Sequence, residues 1–274
     1  MGAIFLMAVG IVIILFSYFN WPVKNNNQDA KLGMTFSNKY SYSIGLDWKA
    51  NYIAMLDDLG IRKLRIPVYW DLVENEKGEY DFSDVDWQLD EARKRDAEII
   101  LAIGQKTPRW PECNIPEWAM KSDEIRKENL LKFLEVVVER YKNDSVVKYW
   151  QVENEPFLRF GICPPFEVEL LDRELAVVRK ADGTRKIITT DSGELSLWIQ
   201  AAKRGDVFGT TMYRTIYKNP IGYVEYPVGP KFFQFKHWLI KTFAKQDNAI
   251  VIELQAEPWI NGSTTDNELD EQFK

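Results

Sequence analysis

The chain has 274 residues, which fits one large domain or two small ones. Its composition, with 46% hydrophobic and 28% charged residues, supports a large buried core and excludes a disordered protein. The formal net charge of −6 argues against nucleic acid as a partner, and one histidine with two cysteines leaves too few ligands for a multi-histidine or four-cysteine metal site.

Residues 1–23 carry no charged side chain, and the stretch 3–16 is almost wholly apolar. The uncharged segment 1–23 is just long enough to cross a bilayer. Tyr18, Phe19 and Trp21 follow, and such aromatic residues are common at the membrane interface. We therefore expect a transmembrane anchor or signal-anchor over 1–23 that attaches the protein to a membrane, with a buried core helix as the alternative.

Beyond a short polar linker at 24–31, short apolar runs alternate with amphipathic stretches. The apolar runs, rich in β-branched residues, cover 33–37, 63–69, 97–104, 146–153, 186–191, 206–212 and 248–253. The helical stretches lie near 48–59, 83–96, 122–142, 167–181, 194–204 and 230–245. This alternation is typical of a parallel sheet covered by helices, and seven such runs predict a (β/α)8 TIM barrel rather than an open sheet.

The predicted barrel forms one domain, residues 32–274. Few residues follow the seventh apolar run, whereas a further strand and helix need about 30 residues. We therefore expect the barrel to be C-terminally truncated before strand eight.

Two glutamates stand where predicted strands end. Glu155 follows the fourth apolar run in the motif Asn154-Glu155-Pro156, and Glu253 ends the seventh run. Barrel active sites lie at the carboxyl ends of the strands, so the two carboxyls are expected to face each other across the mouth. One protonated and one ionised carboxyl can cleave a glycosidic bond. The alternatives are a structural role for Glu155, and Glu257 as the working residue in place of Glu253.

The Asn154-Glu155-Pro156 motif and the Ile252-Glu253 strand end resemble the clan of retaining (β/α)8 glycoside hydrolases that includes cellulase-like, β-galactosidase-like and β-xylosidase-like families. Residues 82–118 are most similar to uncharacterised bacterial cellulase-like members. The resemblance implies that Glu155 is the acid/base, that Glu253 is the nucleophile, and that β-linked oligo- or polysaccharides are cleaved without metal or organic cofactor. The chain departs from the clan at Gln255, where a glycine is usual.

The same resemblance implies roles for further residues of the cleft. Asn154 is expected to bind the sugar 2-hydroxyl, Arg65 to lie near the nucleophile, and Tyr213 to orient it. A plain salt bridge for Arg65 and a core position for Tyr213 are the alternatives. Flat aromatic side chains in the loops after the strands are expected to bind sugar rings, and these are Trp70, Trp110 and Trp259.

Cys113 and Cys163 fall in the loops after the third and fourth predicted strands, which are neighbours in a barrel. A disulfide between them is one interpretation and two buried thiols the other. A disulfide would place the domain outside the cytoplasm. We therefore expect a membrane-anchored, extracytoplasmic glycosidase, and the alternatives are a catalytically silent glycan-binding barrel and a transglycosylase.

Overall fold

The structure is a computed structural model that describes residues 2–23, 30–218 and 221–255. Its helices are α1 (Gly2–Phe19), α2 (Asn38–Ser43), α3 (Trp48–Asp57), α4 (Trp70–Val73), α5 (Ser83–Arg93), α6 (Asp123–Tyr141), α7 (Val168–Ala181), α8 (Ile199–Ala202) and α9 (Pro230–Phe243), with a 3₁₀ helix over Glu117–Lys121. Its strands are β1 (Met34–Thr35), β2 (Lys63–Pro67), β3 (Glu98–Ile103), β4 (Val147–Val152), β5 (Lys186–Asp191), β6 (Val207–Met212), β7 (Thr215–Lys218), β8 (Gly222–Glu225) and β9 (Ala249–Leu254).

Seven strands form one parallel sheet in the order β1-β2-β3-β4-β5-β6-β9. Each falls on one of the seven apolar runs, which confirms the predicted alternation of strands and helices. The antiparallel hairpin of β7 and β8, inserted after β6, was not predicted. The helix predicted near 194–204 is reduced to the single turn α8, because Trp198 just before it takes a left-handed backbone with φ of 67°.

The sheet is curled into a nearly closed barrel. Arg65 on β2 forms an ion pair with Glu253 on β9, although four other strands lie between these two in the sheet. A flat sheet would hold the two side chains several strand spacings of about 4.8 Å apart. The contact therefore requires the TIM-barrel curvature, which leaves β1 and β9 as the facing edges. The predicted truncation concerns residues 256–274, which lie outside the described residues.

Buried side chains of β2–β5 and of α5, α6 and α7 form the main apolar core. Helix α6 shows how the sequence places them. Its N-cap Ser122 accepts a hydrogen bond from the Ile125 amide at 3.2 Å, and Leu130, Leu134 and Val137 recur at helical spacing on its buried face. The helices thus cover the outer face of the sheet, and the loops that form the site lie at the ends of the strands.

Trp70, predicted in the cleft, is a core residue, and that prediction is wrong. Its side chain is fully buried in α4, its ring stacks on Phe133 with centroids 5.6 Å apart, and its indole nitrogen donates to Glu74 at 2.8 Å. The loop after β2 turns at once into α4, and this turn directs Trp70 into the core instead of the cleft.

The apolar N-terminal segment forms α1, and most of its large side chains are exposed. Phe19 at its end packs on Phe232 and Phe235 of α9, with ring centroids 5.7 and 5.6 Å apart. Among the residues described, none of the helices combines the length and apolar character that crossing a membrane requires. The structure therefore gives no support to the predicted transmembrane anchor.

The placement of the two tryptophans predicts a large loss of stability for one truncation and a small change for the other. Trp70→Ala should lower the free energy of unfolding by about 3–5 kcal/mol, because it removes a fully packed ring. Trp110→Ala should change it by about 0.5 kcal/mol or less, because that ring is 64% exposed. Equilibrium urea denaturation measures both, and equal losses in the two variants would contradict the assignment.

Candidate active site

The carboxyl ends of β2, β4, β6 and β9 meet at one edge of the barrel and bring together the predicted polar residues. Arg65 lies within β2, Glu155 follows β4, Tyr213 follows β6, and Glu253 lies near the end of β9. Parallel strands all end on the same side of a sheet, which is why residues far apart in the chain converge here.

Glu253 is held by two donors. Arg65, whose side chain is 3% exposed, pairs with one carboxylate oxygen through its guanidinium, and the Tyr213 hydroxyl donates to the other at 2.6 Å. Burial by itself would raise the pKa of Glu253, but the charge of Arg65 and the hydrogen bonds from Tyr213 and Arg65 outweigh it and lower that pKa. Glu253 is therefore ionised at neutral pH, and Tyr213 is not a core residue.

Glu155 has the opposite environment. It is 8% exposed, its backbone N–H donates to the Thr190 hydroxyl at 2.8 Å, and one carboxyl oxygen accepts a hydrogen bond from Thr211 at 2.9 Å. Burial, with the charges of Glu253 and Glu112, raises the pKa of Glu155 to about 8 and outweighs the Thr211 hydrogen bond. Glu155 is therefore protonated at neutral pH.

Thr211 connects the two carboxyls in space. It lies on β6 as the register partner of Glu253 on β9, while its hydroxyl binds Glu155. Neighbouring strands are about 4.8 Å apart, so the two glutamates share one side of the strand ends. The site thus pairs an acid with a carboxylate, the combination that general acid catalysis and nucleophilic attack require.

A line of hydrogen bonds extends from Glu253 to the loop after β3. Arg65 donates to the side-chain oxygen Oε1 of Gln151 at 3.4 Å. The side-chain nitrogen Nε2 of Gln151 donates to Asn154 Oδ1 at 3.3 Å. Asn154, 2% exposed, donates in turn to the Glu112 carboxylate at 3.1 Å. The amide of Asn154 is thereby fixed in orientation beside Glu155.

Glu112 and Lys106 were not found by reasoning from the sequence. The Lys106 ammonium, in a buried side chain, donates to the backbone carbonyls of Glu155 at 3.0 Å and Leu158 at 2.8 Å, and so holds the loop that carries the acid. Both residues lie in the irregular loop after β3. A loop has no helical or strand repeat of apolar residues from which the burial of a side chain could be predicted. The one available signal was the position of Glu112 next to Cys113, a residue already predicted at the mouth.

Cys113 and Cys163 form a disulfide with Cα atoms 5.2 Å apart, which confirms one interpretation and excludes two free thiols. The bridge ties the loop after β3 to the loop after β4. The Ile162 amide adds a hydrogen bond to the Pro111 carbonyl at 3.0 Å. The two loops that carry Glu112 and Glu155 are therefore fastened to each other.

Gln255 has a structural role that accounts for the departure from the expected glycine. Its side-chain oxygen Oε1 accepts hydrogen bonds from the backbone N–H groups of Arg214 and Thr215, both at 2.8 Å. Its side-chain nitrogen Nε2 donates to the backbone carbonyl of Thr215 at 2.7 Å. The side chain thus fixes the base of the β7–β8 hairpin against β9. A glycine could make none of these bonds.

Glu153 is buried and binds the backbone of the loop after β3. Its carboxylate accepts the backbone N–H groups of Gln105 and Lys106, each at 2.8 Å. It also faces the buried carboxyl of Glu174 on α7, and burial raises the pKa of both groups, so the pair shares a proton. Glu153 therefore orders the loop after β3.

The predicted aromatic contacts divide between exposed and undescribed residues. Trp110 is 64% exposed beside Phe160, with ring centroids 6.0 Å apart, in the two loops that the disulfide joins. Its contact with a sugar stays a prediction. Trp259, and the alternative nucleophile Glu257, lie outside the described residues.

Residues 24–204 match the cellulase family, glycosyl hydrolase family 5. The matched region contains Arg65, Asn154 and Glu155, whereas Tyr213 and Glu253 lie beyond it. No curated protein sequence matches the chain.

Several solved structures are similar. The β-galactosidase from the psychrophilic Marinomonas ef1 gives a TM-score of 0.58 at 14% identity, over 88% of this chain and 52% of that one. GH5_18 from Streptomyces cattleya in complex with GlcNAc gives 0.51 at 14% identity, over 66% and 50%. The exo-β-1,4-mannosidase Op5Man5 from Opitutaceae bacterium strain TAV5 gives 0.52 at 15% identity, over 73% and 41%. The chain spans about half the length of these proteins or less, and the likeness establishes the fold.

Proposed function

The chain belongs to the cellulase family, glycosyl hydrolase family 5, and from this membership we propose that it is a retaining glycoside hydrolase that cleaves β-glycosidic bonds in oligo- or polysaccharides. The observation that carries the proposal is the contrasting placement of two carboxyls at the strand ends. Glu253 is partly buried between Arg65 and Tyr213, whereas Glu155 is buried and no cationic side chain among the described residues binds its carboxyl. Glu253 is kept ionised by Arg65 and Tyr213, while Glu155 is kept protonated by burial and by the charge of Glu253.

In the first step, Glu155 donates its proton to the glycosidic oxygen as the bond to the leaving group breaks. Glu253 attacks the anomeric carbon and forms a glycosyl ester. Esterification removes the negative charge of Glu253, which is one cause of the raised pKa of Glu155. The pKa of Glu155 then falls, so the group remains a carboxylate and can accept a proton from water in the second step.

Arg65 and Tyr213 act through Glu253. Their two donors occupy both carboxylate oxygens, and this fixes the plane of the carboxylate that attacks. Asn154 lies next to Glu155 with its amide fixed by Gln151 and Glu112, in a position to bind a sugar hydroxyl beside the reacting carbon. The binding step thus uses polar groups that are ordered before substrate arrives.

The disulfide supports a location of the domain outside the cytoplasm. Both cysteines of the chain are paired, and such bonds persist in oxidising compartments. We place the domain there by proposal, together with the polysaccharide substrates expected for it.

The two pKa shifts predict a bell-shaped pH profile. Activity should rise with pH as Glu253 ionises, below its ordinary pKa of 4.5, and fall as Glu155 loses its proton near pH 8. Tyr213→Phe removes a hydrogen bond that lowers the pKa of Glu253, so it should move the acid limb of kcat/KM upward and leave the alkaline limb near pH 8. An alkaline limb that moves as far as the acid limb would contradict these assignments.

Trapping the covalent intermediate tests the proposal itself. A panel of activated 2-deoxy-2-fluoro β-glycosides with gluco, galacto and manno configuration should label one residue, and peptide mapping should place it on Glu253. A label on Glu257 would refute the nucleophile assignment.

A leaving-group comparison tests the acid in the same experiment series. Glu155→Gln should slow hydrolysis of substrates with poor leaving groups by about 10²–10⁴-fold, because they need protonation. The formation of the labelled enzyme from dinitrophenyl glycosides, whose leaving group needs no proton, should be little affected. Equal losses with both leaving groups would contradict an acid role for Glu155.

A further inference from the structure

A third carboxyl lies in the cleft beside the two proposed catalytic glutamates. Glu112 is 7% exposed, and its carboxylate accepts a hydrogen bond from the Asn154 amide at 3.1 Å. Its charge contributes to the raised pKa of Glu155, and the charge of Glu253 contributes to its own. Glu112 is therefore electrostatically coupled to both groups, yet the hydrolytic steps derived above do not use it.

The loop around Glu112 is held in one conformation. The Glu112 amide donates to the Arg109 carbonyl at 2.7 Å, and the Glu112 carbonyl accepts the Thr107 amide at 2.8 Å. Glu112 itself has a φ of 71°, an uncommon value for a residue with a side chain. Sparsely populated backbone conformations of this kind cluster at active sites and ligand-binding loops.

The loop after β4 closes against Glu112 from the other side. A Cβ on Gly161 would lie 2.6 Å from the Glu112 Cβ, so only glycine allows the two loops to approach this closely. The Cys113–Cys163 disulfide fastens the same two loops. The carboxylate of Glu112 is thus placed by packing and covalent linkage, in advance of any ligand.

The Glu112–Asn154 pair has the chemistry that a hydroxyl group requires. A hydroxyl donates one hydrogen bond and accepts others, a carboxylate only accepts, and an amide N–H only donates. Burial raises the pKa of Glu112 to about 7, against the Asn154 hydrogen bond and the charge of Lys106. A ligand hydroxyl that donates to Glu112 would favour the ionised form of this carboxyl, which burial disfavours.

We propose that Glu112 is a specificity-determining residue that accepts a hydrogen bond from one substrate hydroxyl beside Asn154. This inference rests on the glycosidase function proposed above. It names the preferred substrate class as β-glycosides with that hydroxyl free, and it disfavours sugars that are deoxygenated or O-substituted there. A site built to bind a hydroxyl rejects the analogue without it strongly, because its buried polar groups are then left unpaired.

A double-mutant cycle with substrate analogues tests the proposal. The best aryl β-glycoside and its 2-, 3-, 4- and 6-deoxy analogues are compared with wild type, Glu112→Gln and Glu117→Gln. Glu112→Gln should lower kcat/KM for the parent substrate by about 10–100-fold, the usual range for a hydrogen bond to a charged group. For one deoxy analogue the same variant should have an effect of about 3-fold or less, since the hydroxyl is already absent.

Glu117→Gln is the matched control, because it makes the same charge change at an exposed residue of the 3₁₀ helix. Thermal unfolding checks that each variant is folded. If Glu112→Gln does not fold, Glu112→Asp, which keeps the charge and shortens its reach, should show the same selective loss at one hydroxyl position.

Two results would overturn the inference while leaving the glycosidase function intact. One is an equal loss for the parent and all four deoxy analogues, and the other is no loss beyond that of Glu117→Gln. If no glycoside is hydrolysed, the same comparison is made with binding affinities. The Kd values of methyl glycosides and their deoxy analogues are then measured by tryptophan fluorescence. A selective effect there supports the role of Glu112 although hydrolysis fails, and its absence overturns that role.

Discussion

The ion pair between Arg65 and Glu253 is the interaction on which the rest of the site depends. It joins β2 to β9 across the mouth of the barrel, between residues 188 positions apart in the chain. Removing two charges from water is costly unless the geometry is good and further hydrogen bonds are made. Tyr213 supplies one of these to Glu253, and Gln151 accepts one from Arg65. The same ion pair therefore depends on the curvature of the barrel and keeps Glu253 negatively charged.

The negative charge of Glu253 influences the protonation of its neighbours. It adds to burial in raising the pKa of Glu155, and it acts in the same direction on Glu112. The ionised carboxylate of Glu253 thus adds to burial in keeping Glu155 protonated. The hydrogen bonds made by Gln151 and Asn154 connect Arg65 to Glu112 and fix the orientation of the side chains between them. Lys106, Glu153 and the disulfide hold the backbone of these loops, so the site is arranged before a ligand enters.

Much of the fold and site followed from the sequence because the signals were local. Seven β-rich runs gave the sheet strands, and the parallel arrangement then brought Glu155 and Glu253 to the same end. Neighbouring strands place the loops of Cys113 and Cys163 side by side, but this proximity alone left a disulfide and two buried thiols as alternatives. What could not be predicted depended on contacts distant in sequence. Trp70 turned inward with α4, and Glu112 became a cleft residue through an irregular loop held against Gly161.

Glu253 is expected to be ionised at neutral pH, and its charge to help keep Glu155 protonated. Isotope-edited NMR of glutamate side chains, with Glu155→Gln and Glu253→Gln for assignment, measures both titrations directly. We expect Glu155 to titrate near pH 8, Glu253 to titrate below 4.5, and Glu253→Gln to lower the pKa of Glu155. A Glu155 that titrates near 4.5, or whose pKa is unchanged by Glu253→Gln, would contradict this expectation.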